Sequence, residues 1–392
     1  MTRAWGDYVC RNMRPSKANQ FIVAGRFLLS TIAVLSLAQA TGSAQAQTVN
    51  GAASWQWHDA RELAVEGKGW TDTKSFYDRL PARAENRVRP DVWSLSHDSA
   101  GMSVRFVSDA TTITARWNLR RTSLAMSHMP ATGVSGVDLY VKGQGSWHWL
   151  GNGRPEKQSE EKVLVRGLKP GRREYLLYLP LYNGVDELSL GVPVGATLAL
   201  PAPRPSGMKP VVFYGSSIVQ GGCAARPGMA YPAILGRRFD RPTINLGFSG
   251  NALSESEVAQ FFAELDPAVY VLDPLPNMSS EMVAERLERF VQILRAAHPA
   301  TPIVLVERAE RSNGLFVNTH PEGYVGANAR LREIYDRLVK TGQRRLFYVP
   351  AAKLIGTDGE ATVDGTHPTD LGFVRMADAI EPVLRRALKS NR

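Results

Sequence analysis

Two stretches of this sequence hold side chains that together could perform acyl transfer. The first is Pro210-Val-Val-Phe-Tyr-Gly-Ser-Ser-Ile-Val-Gln-Gly-Gly222. Val211 to Tyr214 is a short β-branched and aromatic run, the pattern of a strand covered on both faces. Gly215 allows a sharp turn. Ser216 and Ser217 then fall at the strand's carboxyl end, where open α/β sheets place their ligands. A serine hydroxyl is a weak nucleophile until a base takes its proton. The second stretch, Val363-Asp-Gly-Thr-His-Pro368, supplies one, because Asp364 and His367 are three apart and a single loop could orient and present the imidazole. Acyl transfer also needs donors for a tetrahedral oxyanion. Asn245-Leu-Gly-Phe-Ser-Gly-Asn251 and Asp273-Pro-Leu-Pro-Asn-Met278 can supply the Gly250 amide and the Asn277 side chain. A Gly-Ser-Ser turn or an Asp-x-x-His loop, taken alone, is ordinarily just a turn or a helix cap. All four stretches in this order point to catalysis. Asp358 and Glu360 are rival carboxylates near His367 and read as acids of a surface loop.

These groups need a scaffold, and after Pro205 the pattern is strands alternating with helices. Strands are expected at Val211–Tyr214, Thr243–Leu246, Ala268–Leu272, Pro302–Val306 and Leu346–Val349. The clearest helix runs from Ser280 to Ala297, with Val283, Leu287, Phe290, Leu294 and Ala297 recurring at three and four. Ser279 or Ser280 could cap it, and His298-Pro299 ends it. Others are expected at Glu255–Leu265, Ala327–Val339 and Asp370–Leu388. Five strands with intervening helices imply an α/β fold with a mainly parallel sheet covered on both faces. Each candidate group then follows a strand's carboxyl end.

Ahead of this half, residues 47–205 read as a β-sandwich domain. Met102–Val107, Thr112–Trp117 and Val137–Val141 alternate, and Lys162–Val165, Tyr175–Leu179 and Glu187–Leu190 are further strand-like runs. Leu200-Pro-Ala-Pro-Arg-Pro205 reads as a stiff linker, which places the catalytic domain at 206–392. Residues 1–46 have the features of an export signal: basic Arg11, Arg14, Lys17 and Arg26, an apolar Phe27–Leu37, and a small-x-small Ala44-Gln-Ala46. Met13 is an alternative start. The apolar run is too short to span a bilayer, so a periplasmic or secreted protein without a membrane span is expected.

Removing the leader changes two other counts. The net charge of +10 falls to +6, since the leader carries five basic residues and one acidic. The remaining cations are dispersed as doublets such as Arg120-Arg121 and Arg237-Arg238, a solvated face and not a nucleic-acid stripe. Cys10 leaves with the leader, so Cys223 stands alone as a small buried filler and no intrachain disulfide forms. His58, His97, His128, His148, His298 and His320 lack metal-ligand spacing, and no metal is expected. Ser146-Trp-His-Trp149 reads as packed strand aromatics or a sugar-stacking platform. His128-Met-Pro-Ala-Thr-Gly133 reads as a structural loop or one facing the site.

The blocks Gly215-Ser-Ser-Ile218, Asn245-Leu-Gly-Phe-Ser-Gly250, Pro274-Leu-Pro-Asn277 and Asp364-Gly-Thr-His367 resemble those of the SGNH hydrolases, or GDSL esterases, over about residues 208–390. Gly136-Val-Asp-Leu-Tyr140 resembles the Gly-x-Asp-Leu-Tyr module that precedes one esterase branch. The resemblance implies a flavodoxin-like five-stranded sheet and a Ser217 nucleophile with His367 and Asp364. It also implies an oxyanion hole from the Ser217 amide, the Gly250 amide and the Asn277 side chain, with no cofactor. Two departures stand out: Ser216 replaces the usual acid of the first block, and prolines flank Asn277 where the family has a glycine and an Asn-Asp pair. The expected activity is hydrolysis of small acyl esters, acetyl above all, on a saccharide. The alternatives are an acyltransferase using the same site, or a carbohydrate-binding protein without catalysis. The sequence specifies no oligomeric state.

Overall fold

The computed structural model describes residues 54–314, 316 and 326–390. The leader reading, with Cys10 and Met13, lies outside the described residues, as does His320. Gly51–Arg392 forms one compact unit.

Five parallel strands make the sheet of the C-terminal half: Val211–Gly215, Thr243–Gly247, Val269–Asp273, Ile303–Val306 and Leu346–Val349. In chain order they lie 2-1-3-4-5, the flavodoxin-like order. The strand Val211–Gly215 therefore has a neighbour on each side, with Gly215 level with both Gly247 and Asp273. The connections that follow this strand and its neighbour Val269–Asp273 run toward opposite edges of the sheet, which opens a crevice between their carboxyl ends. Alternation along it supplies two cores. Val212 and Tyr214 face one side, where Tyr214 stacks on Phe290 at 4.8 Å and meets Phe262 edge-on. Val211 and Phe213 face the other, against Tyr231, Ile234, Phe373 and Ile380. With both faces covered the whole strand is buried, hence its unbroken apolar run.

The helix expected over Ser280–Ala297 is present, interrupted by a π-helical stretch at Val283–Leu287. Ser279 is its cap, accepting from the Met282 amide. His298 closes it by donating its amide to Leu294 O.

The N-terminal half holds two antiparallel sheets. One is four-stranded, in the order Trp55–Asp59, Val185–Pro193, Thr112–Leu119, Ser159–Arg166. The other is six-stranded and includes Ser103–Ser108, Arg173–Tyr178, Val137–Gly143 and Ser146–Gly153. Their facing sides share one core, in which Phe106, Leu139, Tyr175 and Leu177 of one sheet meet Ile113, Trp117, Leu188 and Leu190 of the other. The six-stranded sheet is also covered on its far side. There Tyr140, Leu176 and Tyr178 pack against Ala233 of the helix Tyr231–Arg238. A second contact is absent from the sequence reading: Trp70, Leu80, Ala84, Val88 and Val92, early in the chain, belong to the core of the parallel sheet. The proline-rich stretch after Leu200 is pinned, because Arg204 pairs with Glu66 and Asp240.

Candidate active site

Ser217 is the first residue of a short helix, Ser217–Gln220, that begins where the first strand ends. Ser216 caps this helix, its hydroxyl accepting from the Ile218 amide at 3.2 Å, and it is fully buried. The cap role separates the two serines: the Ser216 hydroxyl is used by the backbone, and the Ser217 hydroxyl meets His367. Gly215 has no left-handed backbone here. Its hydrogen is required because a Cβ would sit 2.3 Å from Asp273 O. The sequence reading of a freely turning glycine is thus corrected to one of close approach.

The Ser217 Oγ lies 2.9 Å from His367 Nε2, and His367 Nδ1 lies 2.7 Å from Asp364 Oδ2. Asp364 also accepts the amides of His367 at 2.8 Å and Thr366 at 3.0 Å. Partial burial pushes its carboxyl up, but those two amides and the imidazole outweigh it and hold it at about 2. Asp364 thus stays ionised and fixes the ring with Nε2 toward the serine. The rival Asp358 is committed elsewhere, in a two-pronged pair with Arg375 at 2.7 and 2.6 Å.

The second and third blocks flank the serine. Asn245 donates to Val219 O at 2.7 Å and accepts from the Gly247 amide at 2.9 Å, tying the second strand's end to the serine helix. Gln220 accepts from the Ser249 amide at 3.0 Å, which sets the turn before Gly250. Gly250 is exposed with φ +70, a left-handed position that turns its amide without a Cβ penalty. Asn277 ends a 3-10 turn, Leu275–Asn277, and its Oδ1 accepts from the Ala252 amide at 3.2 Å. That bond leaves the Asn277 NH₂ as the free end of the side chain, despite the flanking prolines.

Residues of the β half hold these loops. Arg79, fully buried, donates to Asp98 O, Asn245 O, Gly247 O and Leu95 O, so its charge is spread over carbonyls. Asp98 accepts from Gln220 at 2.9 Å. Asp138, of the Gly-x-Asp-Leu-Tyr stretch, is buried and accepts from Arg226, the Gly228 amide and Trp149. Trp149 is half exposed, with the Arg226 guanidinium 5.2 Å from its ring, while Trp147 turns inward to Asp240.

Three further groups stand near the serine, of which the sequence reading offered only the His128 loop, as one of two alternatives. Tyr182 donates to Ser217 O at 3.3 Å. The exposed His128 ring stands 5.8 Å from that of His367, so its loop does face the site. Cys223 is buried beside them in a left-handed conformation, φ +74. Burial, with the Asp364 charge behind it, pushes its thiol up to about 12, so it stays protonated and is no rival nucleophile. Ligand spacing along the chain could not bring His128, Cys223 and His367 together, because they come from three separate loops. Histidines and cysteines in Gly-rich loops were the available signal. Among the described residues a cavity of about 390 Å³ beside Lys209, Phe239 and Arg385 lies at the sheet's opposite edge and plays no part in this chemistry.

Asp273 is buried beneath the serine turn and accepts from Tyr231 at 3.1 Å. Burial lifts its carboxyl to about 8. Its folded value exceeds its unfolded one, so its contribution is full at low pH and is lost as pH rises through 8. Between about pH 4 and 8 wild-type stability should therefore fall, and Asp273→Asn should flatten that slope. Thermal unfolding across this range checks it, and an unchanged slope would refute it.

The family model of the GDSL-like lipase/acylhydrolase family matches residues 208–385, and that of the N-terminus of SGNH-hydrolase-type esterases matches residues 55–198. Curated protein sequences give no match. Among solved structures, a GDSL-like lipase from Bacteroides ovatus is 36% identical, with a TM-score of 0.81, covering 86% of this chain and 98% of its own. A salicylyl-acyltransferase from a tetracycline biosynthetic pathway is 18% identical, with a TM-score of 0.69 and coverage of 85% and 97%. An acetyl xylan esterase from the rumen bacterium Butyrivibrio proteoclasticus is 11% identical, with a TM-score of 0.53 and coverage of 86% and 99%. The last two show a shared fold. Given the near-complete match to the Bacteroides protein and the two modules laid end to end, this chain belongs to the GDSL-like lipase/acylhydrolase family, in the form that carries an SGNH-type esterase N-terminus.

Proposed function

We propose that this protein is an exported serine esterase that removes small acyl groups, acetyl foremost, from carbohydrates. The observation that carries this reading is the unbroken chain from Ser217 Oγ through His367 to Asp364, at 2.9 and 2.7 Å. His367 Nε2 takes the Ser217 proton as Oγ attacks the ester carbonyl. The amides of Ser217 and Gly250 and the Asn277 NH₂ receive the oxyanion, each such donor contributing about 10²–10³ in rate. His367 then returns its proton to the departing alcohol. Water, deprotonated by the same nitrogen, releases the acid and restores Ser217.

Two features support a small acyl group on a bulky alcohol. His367 and Asp364 lie near the surface, with side chains 25% and 41% exposed. Such a shallow base can meet an ester that projects from a polymer. The fold is shared with carbohydrate esterases of family two and with an acetyl xylan esterase. Export rests on the leader reading of residues 1–46. The salicylyl-acyltransferase of the same fold favours a second reading, in which an acceptor alcohol replaces water at the acyl-enzyme.

The test is kcat/KM for acetyl through dodecanoyl esters, beside acetate release from acetylated xylan and pectin. Each methylene is worth about 1–3 kcal/mol in an apolar pocket, so the expected result is a graded preference for acetyl with acetate released from a glycan. Preference for octanoyl or longer chains with no acetate released would refute the reading. Acyl transfer to an added sugar outrunning hydrolysis would favour the second.

A further inference from the structure

His128, Cys223 and His367 come from three loops, yet one ligand atom from each lies within 4.8 Å of the others. Two imidazoles and a sulfur form a donor set suited to Zn²⁺. We propose that these three residues form an inhibitory zinc site that switches the enzyme off by capturing its base. The inference rests on the reading of His367 as that base.

The geometry gives the site its effect. His367 Nδ1 is held by Asp364 at 2.7 Å, which leaves Nε2 as its metal-binding atom. The same nitrogen faces Ser217 Oγ at 2.9 Å, so metal and serine compete for one lone pair. A carboxylate behind a ligating histidine is also the usual outer partner in zinc sites, and Asp364 already fills that place. Zn–N and Zn–S bonds of about 2.0–2.3 Å put tetrahedral ligand atoms roughly 3.5 Å apart. The three must therefore draw together by about an ångström. His128 is exposed and can swing inward, while Cys223 is buried and His367 is anchored by Asp364, so these two provide the fixed side. Binding forms a Zn–S bond and releases the thiol proton to solvent. No electron is transferred, and a water can take the fourth position.

The experiment has a binding arm and an activity arm, both on the full chain. Co²⁺ serves as the spectroscopic probe, and it should give a thiolate-to-cobalt charge-transfer band that is absent in Cys223→Ser. Zn²⁺ should inhibit ester hydrolysis, with EDTA restoring it. Each variant is compared with its own metal-free rate, and Cys223→Ser and His128→Gln should each weaken zinc inhibition by about 100-fold, at least the loss seen when an outer partner of a zinc ligand is removed. His128 is on the surface, so its replacement tests the site without threatening the fold. Equal inhibition in wild type and both variants, or no charge-transfer band at saturating Co²⁺, overturns the proposal. Should no ester be turned over, the functional reading fails separately, and the cobalt spectrum alone upholds or overturns the site.

Discussion

Ser217→Ala should lower kcat by about 10⁶-fold, the loss seen when a triad nucleophile is removed, whereas Ser216→Ala should retain most activity and lose stability instead. The two hydroxyls are adjacent in sequence and have different work. Ser217 Oγ faces His367 Nε2, while Ser216 Oγ is buried against the Ile218 amide as a helix cap. Removing a serine cap costs about 1 kcal/mol, which appears in the denaturation midpoint and not in kcat. His367→Ala should match Ser217→Ala within a small factor, because members of a triad act as a unit. Turnover of a short p-nitrophenyl ester by all three variants, with peptide mapping of a fluorophosphonate adduct, decides it. An adduct on Ser216, or equal kcat losses in the two serine variants, would overturn the assignment.

Much of this architecture could be read from residue patterns, for physical reasons that also explain what could not. The five parallel strands are short, and four of them are buried along their whole length, so they stand out as runs ended by glycine or a polar residue. Candidate groups placed just after such runs inherit the sheet's geometry, which is why Ser217, Gly250 and Asn277 arrive at its carboxyl edge, while Asp364 and His367 reach it on the long loop after Val349. The six-stranded sheet is a harder case. Alternation marks a sandwich face, but nothing in the sequence pairs Tyr140, Leu176 and Tyr178 on the other face with the helix at Ala233. Arg79 was illegible altogether. A charged residue is presumed to be solvated, and only the folded backbone shows four carbonyls converging on this guanidinium. The segment from Trp70 to Val92 has neither helical nor strand period over most of its length, so nothing in it announced that it packs on the parallel sheet. His128, Cys223 and His367 show the same limit at the site: separation along the chain says nothing about three loops that meet in space.

Expressed alone, residues 206–392 should fail to give a soluble, cooperatively unfolding protein and should lack esterase activity. The argument is one of packing followed by positioning. Trp70, Leu80, Val88 and Val92 are buried in the core of the parallel sheet. At about 1.5–3 kcal/mol for each large apolar side chain, their loss is comparable with the about 5–15 kcal/mol that holds a typical protein folded. Truncation would also strip the cover from Ala233 and remove Arg79 from the carbonyls of Asn245 and Gly247, the block that leads to Gly250. Gln220 would lose Asp98 and Leu181 O, both of which orient the amide that sets Ser249. The milder full-length variant Asp98→Ala separates the two effects. It keeps the apolar contacts and the Gln220 bond to Leu181 O but removes the other acceptor of that amide, and should reduce kcat more than it raises KM, because a drifting Gly250 amide weakens transition-state contacts first. The measurements are solubility and urea unfolding of the fragment, and kcat and KM of Asp98→Ala beside wild type. A folded fragment with wild-type kcat/KM would show that the β half is merely attached, and the Gly-x-Asp-Leu-Tyr module would then need a role outside the catalytic site.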